Sequence, residues 1–297
     1  MNADITQQER NLSLLLLAFH YRTKGKGRMD DRLNLQEFYE GLDIMFQRKD
    51  RKETQRYLEG CLREAEEKKD TSGIVAVCNE LGGLCRVTGQ IDRAKSLYAR
   101  VLSLLEEMGL ASTEHYATAL INTGDVHLMV KELAQALELF LRAEKMLINC
   151  GLGGDYRMAA LCNNISMIYR ETGQFAEAEQ ALDKAFHIIK GLPQCRGELA
   201  TTYVNLGELQ VSQRKLEMAK ESFLSAATIF EEETGGTDVH YSAACAGLGE
   251  VFYMTGKFKE AERYYEKALE LIQRDFGKTP AYDMVADNLE KTRRSLR

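Results

Sequence analysis

The stretch of sequence that decides the fold is Thr255–Gly277, which reads TGKFKEAERYYEKALELIQRDFG. It opens with a Thr-Gly pair and then runs to the next glycine without a proline, with apolar residues three and four positions apart. This period is that of an amphipathic helix. Gly256 can adopt the left-handed conformation that ends a preceding helix. The stretch therefore predicts the end of one helix, a tight turn, and a second helix over Phe258–Gln273.

The same pattern recurs upstream. Five hexapeptides carry a small residue at their third position: ELGGLC (80–85), NTGDVH (122–127), NISMIY (164–169), NLGELQ (205–210) and GLGEVF (247–252). An alanine follows twelve residues after each small residue, at Ala94, Ala136, Ala178, Ala219 and Ala261, so the copies are 41 or 42 residues apart. A large apolar residue comes four positions later, at Tyr98, Phe140, Leu182, Phe223 and Tyr265. One helix pair cannot bury both of its faces, so the pattern predicts a stack of helix hairpins.

The turn glycine is missing from two of the five copies. Lys131 and Arg214 stand where the other copies have the glycine of a Thr-Gly pair. The left-handed conformation costs a non-glycine residue about 1–2 kcal/mol. We therefore expect the chain at these two residues to be either strained or re-routed.

The small, alanine and aromatic positions resemble those of the tetratricopeptide repeat (TPR), and the long period is similar to that of kinesin light chains and their bacterial relatives. The resemblance covers residues 35–297 and implies an all-α fold, a right-handed α-solenoid of about six repeats with an N-terminal helix and a C-terminal capping helix. We expect one continuous array. Its predicted parts are residues 1–34 (N-terminal helix and basic loop), the array over 35–280 (repeats 35–70, 71–109, 113–151, 155–191, 196–234 and 238–277), and the cap over 281–297.

The composition excludes several classes of protein. With 44% hydrophobic residues and two prolines in 297, the chain is neither disordered nor collagen-like. Seven cysteines, mostly at apolar helical positions, indicate reduced thiols and a cytoplasmic location. The net charge of −6 argues against nucleic acid. The longest apolar run, Leu12–Phe19, is too short to cross a bilayer. No zinc-like spacing of Cys and His occurs, so we expect neither a metal nor a cofactor.

The resemblance also places a ligand groove on the first helices of the hairpins, which line the concave side of a TPR array. Asn122, Asn164 and Asn205 lie two residues before the small residue of their copies. The resemblance implies that they hold the backbone of an extended peptide, because a side-chain amide both donates and accepts hydrogen bonds. Helix interiors disfavour asparagine, so three in register require a reason. The alternative is that these residues bond neighbouring helices across the stack.

Nearby positions in the same register are predicted to select side chains of the peptide. The candidates are Asn79, Asn163, Arg86, Arg170, Leu128, Met167 and Tyr253, and the register of Met167 also contains Gly83, Asp125, Glu208 and Glu250. The basic residues by which some TPR domains clamp a terminal carboxylate are absent from the matching places. The pattern therefore favours a peptide of mixed character over an acidic tail.

Motifs typical of enzymes are missing: the sequence contains no G-x-S-x-G, G-x-x-x-x-G-K-[ST] or H-E-x-x-H. We therefore expect a non-enzymatic adaptor that binds a peptide or protein segment in the concave groove. Two alternatives stay open. One is a peptide-sensing bacterial regulatory receptor. The other is a structural scaffold or homo-oligomer, including a homodimer formed through Leu12–Phe19 or the convex face.

Overall fold

A computed structural model describes residues 32–48, 50–275 and 277–297, and within these ranges all regular secondary structure is α-helical. The thirteen helices of the described residues are α1 (Leu35–Arg48), α2 (Arg51–Glu67), α3 (Thr71–Val87), α4 (Ile91–Glu107), α5 (Glu114–Met129), α6 (Leu133–Asn149), α7 (Tyr156–Glu171), α8 (Phe175–Lys190), α9 (Arg196–Ser212), α10 (Leu216–Thr234), α11 (Tyr241–Met254), α12 (Phe258–Asp275) and α13 (Pro280–Ser295). The predicted N-terminal helix and basic loop, with Leu12–Phe19, lie outside the described residues.

The helices pair into six hairpins, from α1–α2 to α11–α12, and α13 follows the last one. In each hairpin we call the first helix A and the second helix B. The two helices of a hairpin pack against each other, and α13 packs against α12. The prediction of an all-α stack of helix hairpins is confirmed.

Contacts between residues divide the chain into two compact units, which separate between Gly153 and Gly154. In the described residues the N-terminal unit consists of α1–α6 and the C-terminal unit of α7–α13. Inside each unit a B helix packs against the A helix of the next hairpin, as α4 does with α5 and α10 does with α11. The repeat boundaries and the single continuous array stay predictions.

In the hairpins whose helix A carries a glycine, this glycine meets a ring of helix B. A methyl group added to Gly82 would lie 2.9 Å from the Tyr98 ring, closer than packed carbon atoms approach. The same contact occurs in the other glycine-bearing copies, between Gly124 and Phe140, Gly207 and Phe223, and Gly249 and Tyr265. Ser166 replaces the glycine in the remaining copy, where Leu182 replaces the ring. The small residue therefore sets how closely the two helices pack.

The turns at Lys131 and Arg214 keep the conformation of the glycine turns. Both residues have φ of 61°, compared with 74° at Gly256. The turn hydrogen bonds are also kept, because Lys131 N donates to Leu128 O at 3.0 Å and Gly256 N to Tyr253 O at 3.1 Å. The chain at these two residues is therefore strained, not re-routed.

Tyrosines near the start of helix A connect it to the preceding B helix. Tyr116 Oη donates to Glu106 Oε1 at 2.5 Å, and Tyr241 Oη donates to Glu231. Both tyrosines are buried. Each tyrosine therefore packs against the end of the preceding helix.

Candidate functional site

The A helices of successive hairpins contact one another within each unit. In the N-terminal unit α3 contacts α5, and in the C-terminal unit α7 contacts α9, which contacts α11. This side of each unit we call its A face. It carries Asn79, Arg86, Asn122 and Asp125 in the N-terminal unit, and Asn164, Arg170, Asn205, Glu208, Glu250 and Tyr253 in the C-terminal unit.

On the A face of the N-terminal unit, two of the predicted residues bond each other. Asn122 Nδ2 donates to Asn79 Oδ1 at 2.8 Å, which links α5 to α3. This bond is the cross-helix contact that the asparagine pattern left open as an alternative. Because an amide has several hydrogen-bonding groups, the Asn122 carbonyl and the Asn79 amide nitrogen remain for a further partner.

Arg86 and Asp125 form the charged part of the same face. Burial raises the pKa of the half-buried Asp125 carboxyl to about 6, although the positive charge of Arg86 acts to lower it. The charges of Arg86, Glu80 and Asp125 all act on the hydroxyl of Tyr98, whose pKa is raised by burial. Arg86 Nε is itself buried without a hydrogen-bond partner among the described residues. One arginine and two carboxylates are therefore grouped on this face.

The asparagines of the C-terminal unit differ in how far a ligand can reach them. Asn163 is 4% exposed, and its Nδ2 donates to Thr202 Oγ1 at 3.0 Å, linking α7 to α9. Its Oδ1 is buried without a partner. Asn164 is half-buried and Asn205 is buried. Asn164 is therefore the most exposed of these three residues.

This A face also carries charged residues. Arg170 Nη2 lies 2.8 Å from Glu208 Oε2, between α7 and α9. Glu250 follows on α11 and is exposed. Desolvation raises the pKa of Glu250, and the charges of Arg170 and Arg214 act to lower it.

The apolar candidates are half-buried on three different A helices: Leu128 on α5, Met167 on α7 and Tyr253 on α11. The Tyr253 ring packs against Phe258, with the ring centres 5.6 Å apart. Sequence reasoning missed Thr202, the partner of Asn163, because no local pattern connects two residues 39 positions apart. It included Glu250 in the register of groove positions but did not select it as a site residue.

Other kinds of site find no support in the part of the chain that the structure describes. No group of three or more His, Cys, Asp or Glu side chains is placed to hold a metal ion there. None of the described helices is both long enough and apolar enough to cross a membrane. The seven cysteines are free, and Cys61 and Cys150 are the two that are not fully buried.

Comparison with known families gives the identity of the repeats. Residues 156–232 and 198–274 match the tetratricopeptide repeat family model, and together these matches span helices α7 to α12. Residues 156–274 of the chain are tetratricopeptide repeats. The family predicted from the small, alanine and aromatic positions is therefore confirmed.

Similar proteins support the same fold. Protein KINESIN LIGHT CHAIN-RELATED 1 of Arabidopsis thaliana is 24% identical over 202 residues, which is 66% of this TPR chain and 32% of that protein. The chain thus spans about a third of this curated relative. The crystal structure of BtubC (BKLC) from P. vanneervenii has a TM-score of 0.59 at 23% identity, covering 76% of this chain and 90% of that one. A Rap protein complexed with competence and sporulation factor has a TM-score of 0.70 at 16% identity, covering 97% of this chain and 83% of that one.

Proposed function

We propose that this TPR protein is a non-enzymatic interaction module that binds an extended segment of another protein, or a peptide, along the A face. Repeats of this family indicate a protein-interaction module. The observation that carries the proposal is the A face of the C-terminal unit, where Asn164 and Asn205 lie in register on the neighbouring helices α7 and α9. Amide groups in register suit a peptide backbone, whose N–H and C=O groups recur in every residue.

In this proposal the candidate residues have two roles. On the A face of the C-terminal unit, Asn164 and Asn205 hold the backbone of a segment, with Asn163 as a neighbouring amide. On the A face of the N-terminal unit, Asn122 has the same role, with Asn79 as a neighbouring amide. The side chains of the segment contact the remaining candidates, which are Arg86, Arg170, Leu128, Met167 and Tyr253. Neither a cofactor nor a metal takes part.

The proposed setting is the cytoplasm, because the cysteines are free and buried thiols persist in a reducing compartment. The net charge of −6 does not favour a nucleic acid partner. The proposed binding partner is a protein or peptide, and the proposal involves no membrane.

The test uses a random dodecapeptide library displayed on phage and selected against the full chain. The tightest selected peptide is synthesised, and its affinity is measured for the wild type and for three variants: Asn122→Ala, the double variant Asn164→Ala/Asn205→Ala, and the control Asn149→Ala at the exposed end of α6. Circular dichroism checks that all are equally helical. We expect the double variant to bind about tenfold more weakly or worse, because each lost hydrogen bond contributes about 1 kcal/mol. Equal affinity of the double variant and the control would contradict the proposal.

The similarity to the Rap complex favours one second candidate, a receptor that changes conformation when it binds a peptide. That Rap protein was solved with competence and sporulation factor, and the similarity covers 97% of this chain. For a receptor of this kind, the selected peptide should lower the radius of gyration of the chain in small-angle scattering. An unchanged scattering curve at saturating peptide would leave the adaptor as the better description.

A further inference from the structure

The exposed side of α6 differs from that of the other B helices. The positions five and twelve residues after the alanine of each copy are exposed to solvent in all five copies. In α6 both positions are apolar, since Leu141 is 42% exposed and Ile148 is 53% exposed. Among these five copies, α6 is the one B helix with two large apolar side chains at these positions. The other four copies have Ala99 and Glu106, Asp183 and Lys190, Leu224 and Glu231, and Glu266 and Gln273.

Leu141 and Ile148 form a row along α6. Seven residues make close to two helical turns, so the two side chains point the same way, about 10 Å apart along the axis. Ala134 is also exposed and continues the row, and the half-buried Leu137 borders it. The row is separate from the core side of α6, where Phe140 is buried. Helices that pack along one another carry apolar residues at such seven-residue intervals, whereas single exposed apolar residues need no explanation.

The charges beside the row favour a second copy of α6 as its occupant. Glu138 and Lys145 are both exposed, seven residues apart, on one side of the row. If two copies of α6 pack antiparallel about a twofold axis near Leu141, Glu138 of one copy faces Lys145 of the other, and this pair occurs twice. A parallel pair would instead bring like charges together. The exposed side of α6 is therefore complementary to itself in the antiparallel orientation.

We propose that the row Ala134, Leu141 and Ile148 binds the same row of a second copy of this chain, as an antiparallel pair of α6 helices about a twofold axis. The contact is small, because a helix of 17 residues is about 25 Å long. A contact of this size is at the low end for protein interfaces, so the dimer forms and dissociates readily. A B helix makes this contact, so the proposal is independent of peptide binding on the A helices.

The test measures the mass of the full chain by sedimentation equilibrium, at loading concentrations from about 1 to about 300 μM, because an interface of this size is weak. Leu141→Glu and Ile148→Lys each place a charge in the row. Leu224→Glu is the matched control. Leu224 occupies the same repeat position on α10 and is 38% exposed, but Glu231 follows it seven residues later. Circular dichroism checks that all variants are equally helical.

We expect the wild type to show a concentration-dependent equilibrium between monomer and dimer. Leu141→Glu and Ile148→Lys should each weaken the dimer about tenfold or more, because a charge buried in the contact has no partner. Leu224→Glu should behave as the wild type. The proposal is wrong if the wild type keeps the mass of a single chain throughout. It is also wrong if both row variants dimerise as well as the control, since the chain then associates through another surface.

Charge reversal tests the antiparallel pairing and the identity of the occupant. Glu138→Lys and Lys145→Glu should each weaken the dimer about fivefold, because like charges then face each other at the edge of the contact. An equimolar mixture of these two variants should recover the dimer, and so should the double variant Glu138→Lys/Lys145→Glu, because each pair again joins opposite charges.

Recovery in neither case would overturn the contact between two copies of α6. If a segment of the same chain, such as Leu12–Phe19, covered the row instead, all of these proteins would keep the mass of a single chain. That result would also overturn the proposal, while the peptide binding proposed for the A faces would stand.

Discussion

The two units place an arginine at the same position of an A helix but surround it differently. In the N-terminal unit the charges of Arg86, Glu80 and Asp125 all act on the hydroxyl of Tyr98, and Asn122 bonds Asn79. In the C-terminal unit Arg170 is paired with Glu208, and the charges of both Arg170 and Arg214 act on Glu250. The comparison shows that the repeat register determines where the arginine lies but not which charged residues surround it.

The largest expected difference between the units concerns their core rings. Phe223 lies against Gly207 of its own hairpin and also against Gly247 of the next, whereas Phe140 lies against Gly124. Replacing a buried phenylalanine by alanine costs about 3–5 kcal/mol of unfolding free energy. We expect Phe223→Ala to reach the upper end of this range and Phe140→Ala the lower end, as measured by urea denaturation.

The control for this prediction is Leu224→Ala, because Leu224 is 38% exposed on the same helix as Phe223. It should change the unfolding free energy by no more than about 0.5 kcal/mol. Equal losses of unfolding free energy for Phe223→Ala and Phe140→Ala would show that the contact of Phe223 with the next hairpin does not add to the stability of the C-terminal unit.

The second prediction concerns the buried carboxyl of the N-terminal unit. Folding raises the pKa of Asp125 from 3.8 to about 6, so the folded chain holds this proton more tightly than the unfolded chain does. Ionisation of Asp125 therefore lowers stability as the pH rises between these two values, by at most about 3 kcal/mol. Relative to Asp125→Asn, the wild type should lose unfolding free energy between pH 4 and pH 6. Parallel pH curves for the two proteins would show that Asp125 is well hydrated.

The third prediction compares the strained turns, of which each unit has one between its A and B helices. Lys131→Gly and Arg214→Gly should each raise the unfolding free energy by about 1 kcal/mol, because glycine adopts a positive φ without a steric penalty. Gly256→Ala is the reverse substitution at the corresponding turn. Gly256 has a φ of 74°, and nothing lies within 4 Å of the added methyl group. Gly256→Ala should lower the unfolding free energy by a similar amount. A higher unfolding free energy for Gly256→Ala than for the wild type would mean that the backbone angle φ does not determine the stability of these turns.

The smallest effect is expected at Glu132, which follows the strained turn of the N-terminal unit. Hydrogen bonds from Lys95 and His127 hold the pKa of Glu132 below its usual value of 4.5. Its stabilising contribution is therefore present above that value and is lost as the pH falls through the lowered pKa. Glu132→Gln should be slightly less stable than the wild type at neutral pH, and the difference should vanish in acid. The pH dependence of stability is therefore opposite to that expected for Asp125. If the stability difference between the wild type and Glu132→Gln grew as the pH falls, the lowered pKa of Glu132 would be contradicted.

The hairpins could be predicted from sequence because their determinants are local. Gly82 and Tyr98 are 16 residues apart in one hairpin, and this spacing recurs in every glycine-bearing copy. The positive φ at Lys131 and Arg214 followed from the same alignment. The first hairpin keeps the same spacing, because the ring of Tyr57 covers Gly41, which lies 16 residues before it.

The partners of the A-face side chains could not be predicted in the same way. Asn122 and Asn79 are 43 residues apart, and whether their amides meet depends on side-chain positions across two hairpins. The bond between Asn163 and Thr202 has no counterpart in the repeat pattern. Glu250 lies in a predicted groove register, but no spacing in the sequence records that the charges of both Arg170 and Arg214 act on it.

The central claim is that a ligand lies along the A face of the C-terminal unit. The most direct measurement is photo-cross-linking of the full chain to the library-selected peptide carrying benzoylphenylalanine, followed by mass spectrometry of the cross-linked fragments. The account predicts cross-links on α7, α9 and α11. Cross-links confined to α8, α10 and α12, or to the helices of the N-terminal unit, would contradict it.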